Sequence, residues 1–279
     1  NYGGTIMGKA TREAYGNALA RIGKENTNII VLDADLSKST KTDTFKAVCP
    51  ERFFNVGIAE QNLISVGAGL AAAGKIPFVS SFSMFATGRA FEQIRNAVCY
   101  PKLNVKVCAT HAGITVGEDG ATHQSLEDIS CMRTLPNMTV VVPADERETE
   151  AVIEWAASYN GPVYVRLGRA GVDDVTTEGY SFVPGKSTIL VDGSDATIIA
   201  CGALVGPAVE ASKTLSESNI SARVINMASI KPIDAEAIIK AAAETGAIVT
   251  AEEHNIIGGL GSAVSEVVVS NKPVPMEFV

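Results

Sequence analysis

Residues 53–81 read FFNVGIAEQNLISVGAGLAAAGKIPFVSS. Two short apolar runs, 53–56 and 77–81, flank a small-residue stretch over 61–73 that has helical spacing and that Gly74 stops. The pattern is strand, helix, strand. The alternation extends outward on both sides. Upstream, residues 11–22 carry Ala14, Ala18, Leu19 and Ile22 on one helical side, and 28–32 form an apolar strand closed by Asp33. Downstream follow a helix over 89–98, a strand over 105–109, a strand over 139–143, a helix over 146–158 and a strand over 162–167. Strands and helices in alternation predict an α/β fold with a mostly parallel sheet flanked by helices. Periodicity lapses over 173–187, where Thr, Glu, Gly and Pro gather. A second, smaller α/β unit then begins: strand 196–200, helix 206–216, strand 221–227, helix 235–244, strand 247–251, helix 261–269 and a strand-like end. The predicted division is residues 1–172, a linker over 173–185, and residues 186–279.

Composition narrows the function. Of the 279 residues 46% are hydrophobic and 19% charged, enough for a substantial core. The net charge of −8 comes with no basic stripe, which argues against nucleic acid as a partner. Cys49, Cys99, Cys108, Cys131 and Cys201 are scattered and in no metal-ligand spacing, as expected of reduced thiols. No apolar run reaches the ~18 residues of a membrane helix. The start, Asn1-Tyr2-Gly3-Gly4 and then an amphipathic stretch, has no leader pattern. A cytoplasmic protein without a membrane partner is expected.

Three segments carry chemistry. In Gly57-Ile58-Ala59-Glu60-Gln61-Asn62 a carboxylate opens a helix directly after a strand. Taken alone, such a Glu is an ordinary first-turn residue favoured by the helix dipole. In Ser81-Phe82-Ser83-Met84-Phe85 two aromatics lie three apart beyond the next strand, at the end where α/β sheets bind ligands. The loop over 111–124 holds two of the chain's three histidines, His111 and His123, with Glu118, Asp119 and three glycines. Loops that concentrate titratable groups this way favour function over structure.

Together these segments resemble the transketolase family. The resemblance rests on Glu60 in its strand-to-helix setting, on Ser81-Phe82-Ser83-Met84-Phe85, and above all on Gly117-Glu118-Asp119-Gly120-Ala121-Thr122-His123-Gln124. It continues in Thr11-Arg12, Ala34-Asp35-Leu36 with Ser39, Leu135-Pro136-Asn137-Met138, Arg166-Leu167-Gly168-Arg169 and, more weakly, Glu252-Glu253-His254-Asn255 and Gly258-Gly259-Leu260-Gly261. It implies a pyrimidine-binding domain followed by a transketolase C-terminal-like domain, with thiamine diphosphate as cofactor. By the resemblance Glu60 shares a proton with the aminopyrimidine ring nitrogen, and Phe85 with Phe82 packs on that ring. Arg12, Ser39, His111 and Arg169 match positions that grip a substrate phosphate, Asp119 one that senses a sugar hydroxyl, and His123 one near the reacting carbonyl.

Two departures stand out. Gly88 replaces an aromatic of the pyrimidine pocket, and Thr87-Gly88-Arg89-Ala90-Phe91 is closer to 1-deoxyxylulose 5-phosphate synthases, with Phe91 or a partner residue expected to fill the space. Nothing matches the family's diphosphate and metal motif, so Mg2+ (or Ca2+ or Mn2+) is expected to be bound mainly by an N-terminal, diphosphate-binding partner chain, in an assembly with two copies of each chain. The expectation is the C-terminal half of a split transketolase that moves a two-carbon ketol unit between sugar phosphates. The alternatives are a 1-deoxyxylulose 5-phosphate synthase fragment, the small subunit of a 2-oxo acid dehydrogenase decarboxylating component, and a non-catalytic scaffold. Gly258-Gly259-Leu260-Gly261 could hold an anion at a helix start, but close packing is the expected purpose.

Overall fold

The structure, a computed structural model, describes residues 8–279; the amphipathic stretch expected after Gly4 begins outside them. Twelve strands are present among the described residues: β1 (Ile29–Asp33), β2 (Phe53–Asn55), β3 (Ile76–Ser80), β4 (Lys106–Ala109), β5 (Thr139–Val141), β6 (Val163–Arg166), β7 (Thr188–Val191), β8 (Ala196–Ala200), β9 (Ala222–Asn226), β10 (Ser229–Lys231), β11 (Ile248–Ala251) and β12 (Met276–Phe278). They form a seven-stranded sheet ordered β10-β5-β6-β4-β3-β1-β2 and a five-stranded sheet ordered β12-β11-β8-β9-β7. Pairing is parallel except at β10 with β5 and at β7 with β9. The predicted α/β class, with a mostly parallel sheet first and a smaller α/β unit second, is what the chain adopts.

The central strands of the first sheet are buried on both faces, which is why they read as continuous apolar runs. Helices Thr11–Glu25 and Glu146–Ser158 cover one face with Tyr15, Leu19, Ile22, Val152 and Ile153. Helix Glu60–Ala72 covers the other. Its small residues allow close approach: a Cβ on Gly67 would lie 2.8 Å from Val79 Cγ1 on β3. Helix Glu146–Ser158 starts as its sequence suggests, with Asp145 accepting the Glu148 N–H at 2.9 Å.

Three features lie beyond the periodicity. The chain from Met84 to Cys99, expected as one helix from 89 to 98, begins earlier and contains two π-helical turns, Met84–Arg89 and Ile94–Cys99. Helix Asp128–Thr134 follows the acidic loop. Strand β10, late in the chain, adds antiparallel to the edge of the first sheet through Ser229 and Lys231. The apolar core consequently runs without a break from Val140 and Val142 to Cys201, Met227 and Ile230. The segment expected as a linker is packed down. Phe182 meets Trp155 at 5.1 Å between centroids, and Asp145 accepts the Thr176 N–H at 2.7 Å.

One buried ion pair ties these parts together. Asp128 is fully buried and accepts from Arg166 Nε at 2.7 Å, Arg166 Nη2 at 3.1 Å and Tyr164 Oη at 2.6 Å. Burial alone would push its carboxyl up. The charge and hydrogen bonds of Arg166, with the Tyr164 hydroxyl, outweigh burial and hold it below its ordinary value. Arg166 also donates to the Glu253 carbonyl of the second unit at 2.8 Å. Asp128→Ala strands a buried guanidinium, so it should cost roughly 3–5 kcal/mol in urea unfolding. A carboxyl lowered by folding stabilises above its unfolded value. The gap between wild type and variant should therefore be full above about pH 4 and close as the pH falls below that.

Candidate functional site

The first sheet changes direction of connection between β1 and β3, with β2 on one side and β4 on the other. The C-terminal ends of its parallel strands face one crevice, the usual ligand position of such sheets. The residues singled out in the sequence emerge there: Ser39 after β1, Glu60 after β2, Phe82 and Phe85 after β3, His111 after β4 and Arg169 after β6.

Glu60 is the first residue of helix Glu60–Ala72 and is buried. Its Oε2 accepts from Arg89 Nη1 at 2.7 Å, and Oε1 lies 3.5 Å from Ser81 Oγ. Phe82 is held by a bridge to Thr110 and stacks on His111 with 3.8 Å between centroids. Phe85 lies beside Phe82 at 6.3 Å, and His123 meets the Phe85 ring edge-on at 5.2 Å. Four of the predicted residues thus form one aromatic cluster. Phe91 does not fill the space left by Gly88. Phe91 packs against the inner core, and Arg89 lies over Phe85, its guanidinium carbon 5.0 Å from the ring centroid.

Beside the cluster is a basic group. The first turn of helix Thr11–Glu25 is pinned to the end of β6, with Thr11 Oγ1 accepting the Gly168 N–H at 2.8 Å. This brings Arg12 towards Arg169. Arg12 Nη1 donates to the Ser39 carbonyl at 3.0 Å and lies 3.4 Å from His111 Nε2, while its Nε is buried with no partner. Ser39 therefore contributes its carbonyl to Arg12. Burial, then the charge of Arg169, lowers Arg12 from its ordinary value. Arg169 donates to both carboxylate oxygens of Glu118, at 3.0 and 3.1 Å. It crosses the loop at Gly117, where φ is +71° and a Cβ would lie 1.9 Å from Arg169 Nη1. Asp119 is exposed on the same loop.

His111 also takes a positive φ of +57°. Arginine only donates, so Nε2 is the acceptor and the ring proton sits on Nδ1, 2.9 Å from Thr110 Oγ1. Burial, then the charges of Arg12, Arg169 and His123, push His111 down to about 3. It is a neutral ring in a positive surrounding.

Sequence reasoning passed over Arg89 and Glu253. Glu253 Oε1 accepts the N–H groups of Ile114 and Thr115 at 2.8 and 2.7 Å, so the second unit fastens the start of the loop. Glu253 sits in a quoted motif, but only the fold brings it to that loop. The neighbouring Glu252 accepts from Leu260 N at 2.7 Å and Gly261 N at 2.9 Å. The anion at that glycine-rich helix start is thus the chain's own carboxylate.

The family model for the transketolase pyrimidine binding domain matches residues 7–173, and that for the transketolase C-terminal domain matches 185–277. The chain belongs to the transketolase family. A Methanocaldococcus jannaschii protein, provisionally named a transketolase C-terminal section, is 56% identical over 94% of this chain and 83% of its own length. The 6-deoxy-6-sulfo-D-fructose transketolase subunit of a Clostridium species is 42% identical over 96% of this chain and 83% of its own length. The 1-deoxy-D-xylulose-5-phosphate synthase 1 of Geobacter sulfurreducens is also 42% identical, over 90% of this chain but 40% of its own. A solved split-gene transketolase, an inactive β4 tetramer, is 58% identical with a TM-score of 0.91, covering 98% of this chain and 89% of that one.

Membership of the transketolase family implies thiamine diphosphate with a divalent metal. The buried Glu60 carboxylate, linked through the Arg89 guanidinium to the Phe85 ring, fits the pyrimidine end of that cofactor. Among the described residues no group of three or more His, Cys, Asp or Glu is placed to hold a metal, and no helix is long and apolar enough to cross a membrane.

A ring lowered by folding binds fewer protons than the unfolded chain, whose His takes up its proton near ~6.5. The His111 imidazole should show no titration in nitrogen-15 NMR between pH 8 and pH 5. Stability should fall as the pH drops below about 6.5, and His111→Asn should lessen that fall.

Proposed function

We propose that this chain is one subunit of a two-chain transketolase, which transfers a two-carbon ketol unit from a ketose phosphate to an aldose phosphate. The observation that carries the reading is the meeting of Glu60, Phe82, Phe85, His111 and His123 at one sheet edge, beside two arginines and an unpartnered buried N–H. The relatives named as a transketolase subunit or C-terminal section support a divided enzyme. In this reading residues 1–172 form the pyrimidine-binding unit, 173–185 the connection and 186–279 the C-terminal-like unit, in accord with the two family matches. The diphosphate and metal are held mainly by an N-terminal partner chain, and two copies of each chain make a closed cytoplasmic assembly.

Thiamine diphosphate, when bound, supplies the carbon nucleophile of the reaction. This chain's residues orient it and manage protons. Glu60 would bond the pyrimidine ring nitrogen and share a proton there, from a buried position that excludes water. Phe85, flanked by Phe82, packs against the ring. His123 stands near the reacting carbonyl and Asp119 accepts from a sugar hydroxyl. Arg12, Arg169, His111 and the Ser39 segment receive the phosphate. Two like-charged arginines with an unmet N–H are suited to an oxyanion, and charge-assisted bonds are the strong ones. Glu118 holds Arg169 in the meantime and gives way to the dianion.

Glu60→Gln keeps volume and hydrogen bonding but cannot share the proton. Turnover by the two-chain enzyme should fall about 10²–10⁴-fold with an unchanged circular dichroism spectrum. A variant retaining a third or more of wild-type turnover would remove Glu60 from this role.

The reading as a whole is tested by adding magnesium, thiamine diphosphate, xylulose 5-phosphate and ribose 5-phosphate to the chain with and without its partner. Sedoheptulose 7-phosphate should form only with both chains. Carbon dioxide release from a 2-oxo acid would instead assign a decarboxylating enzyme, and full turnover by this chain alone would overturn the division.

A further inference from the structure

A Cβ on Gly88 would meet Met84 Cε at 3.2 Å, and the next residue, Arg89, lies over Phe85. Met84–Arg89 is one π-helical turn. Such turns are wider than α-helical ones and are frequent at functional sites. This one carries the Arg89 guanidinium to two contacts at once, Nη1 2.7 Å from Glu60 Oε2 and the guanidinium carbon 5.0 Å from the Phe85 centroid. These are the two groups on which the proposed function seats the aminopyrimidine. The likeness is chemical. A guanidinium is planar and delocalised, stacks on an aromatic face and donates N–H to a carboxylate, as an aminopyrimidine in its place would stack and bond. Arg89 and an aminopyrimidine would thus compete for the same carboxylate oxygen and the same ring.

The burial of the pair is uneven. The Glu60 side chain is 1% exposed and that of Arg89 is 50% exposed. A buried carboxylate needs a partner, and Arg89 supplies one from outside. Being half in water, it can withdraw without losing its own solvation. We propose that Arg89 is a plug: it occupies the pyrimidine seat, satisfies Glu60, and is displaced when thiamine diphosphate binds. The proposal rests on the assignment of Glu60 and Phe85 to the pyrimidine given above. It adds a competing internal group that sets cofactor affinity and so makes Arg89 a positioning residue.

The test is calorimetry of thiamine diphosphate binding, with magnesium, to the complex of this chain and its diphosphate-binding partner. A seat filled nine-tenths of the time by Arg89 raises the apparent Kd about tenfold. Arg89→Ala should therefore bind cofactor up to about tenfold more tightly. Without cofactor, the same variant should melt at a lower temperature than wild type, because Glu60 is left unpaired. Arg89→Lys keeps the charge without the planar stack. It should recover most of the melting temperature and still bind cofactor more tightly than wild type. If Arg89→Ala does not fold, Arg89→Lys decides. Unchanged or weaker affinity overturns the plug and makes Arg89 a fixed wall of the seat. Affinity that rises with no loss of melting temperature also overturns it, since Glu60 would not depend on Arg89. Absence of cofactor binding by the wild-type complex removes the thiamine diphosphate assignment itself, and the plug with it.

Discussion

Asp128 lies on the short helix that follows the acidic loop, and its carboxylate ties strand β6, the loop and the second unit together. Tyr164 and Arg166, two residues apart on β6, both donate to it. The Tyr164 hydroxyl in turn lies 2.9 Å from Ser83 Oγ, between the two phenylalanines. Arg166 reaches the Ser125 carbonyl at the end of the loop and the Glu253 carbonyl in the second unit. A buried charge tolerates little displacement, because any partner that moves away exposes it to an apolar surrounding. The aromatic platform, the loop and the second unit are thereby held to one geometry. The pair adds little net stability by comparison with apolar packing, and its value lies in registering these three parts.

The second unit does more than stack beside the first. Glu253 binds two backbone N–H groups where the loop begins, while Arg166 binds the Glu253 carbonyl. Lys231, on the strand that joins the first sheet, donates to the Arg133 and Leu135 carbonyls at the end of helix Asp128–Thr134. The loop with His111 and His123 is thus clamped from both units. Its own segment still bends through positive φ at His111, Gly113, Gly117 and Gly120, so its shape depends on those clamps as well as on its glycines.

Charge is distributed to match. Two of the carboxylates near the loop and the second unit are engaged. Glu252 is spent on the start of helix Leu260–Asn271, and Glu118 on Arg169. Arg12 keeps a buried, unmet N–H, and His111 stays neutral between two arginines. Two arginines are thus gathered at the sheet edge of a chain that is acidic overall, with Glu118 paired to one of them.

The amino-acid sequence alone determined the alternation of elements, because short apolar runs and period-3.6 burial are written in local residue type. Helix Glu146–Ser158 and strand β8 fall where the pattern placed them. It also determined the family, because the run from Gly117 to Gln124 is specific as a string. It singled out the residues that gather at the crevice, from Arg12 to Arg169, since β-strand ends of a parallel sheet share one side. What it left to tertiary structure were relations between distant residues with weak local signatures. Strand β10 is three residues long, and nothing in Ser229–Lys231 says which sheet it joins. The π-helical turn at Met84–Arg89 differs from an α-helix only by its hydrogen-bond span, and Arg89 at its end meets Glu60. Contacts such as these depend on through-space distances of a few ångströms between elements tens of residues apart, and only the packed core sets those distances.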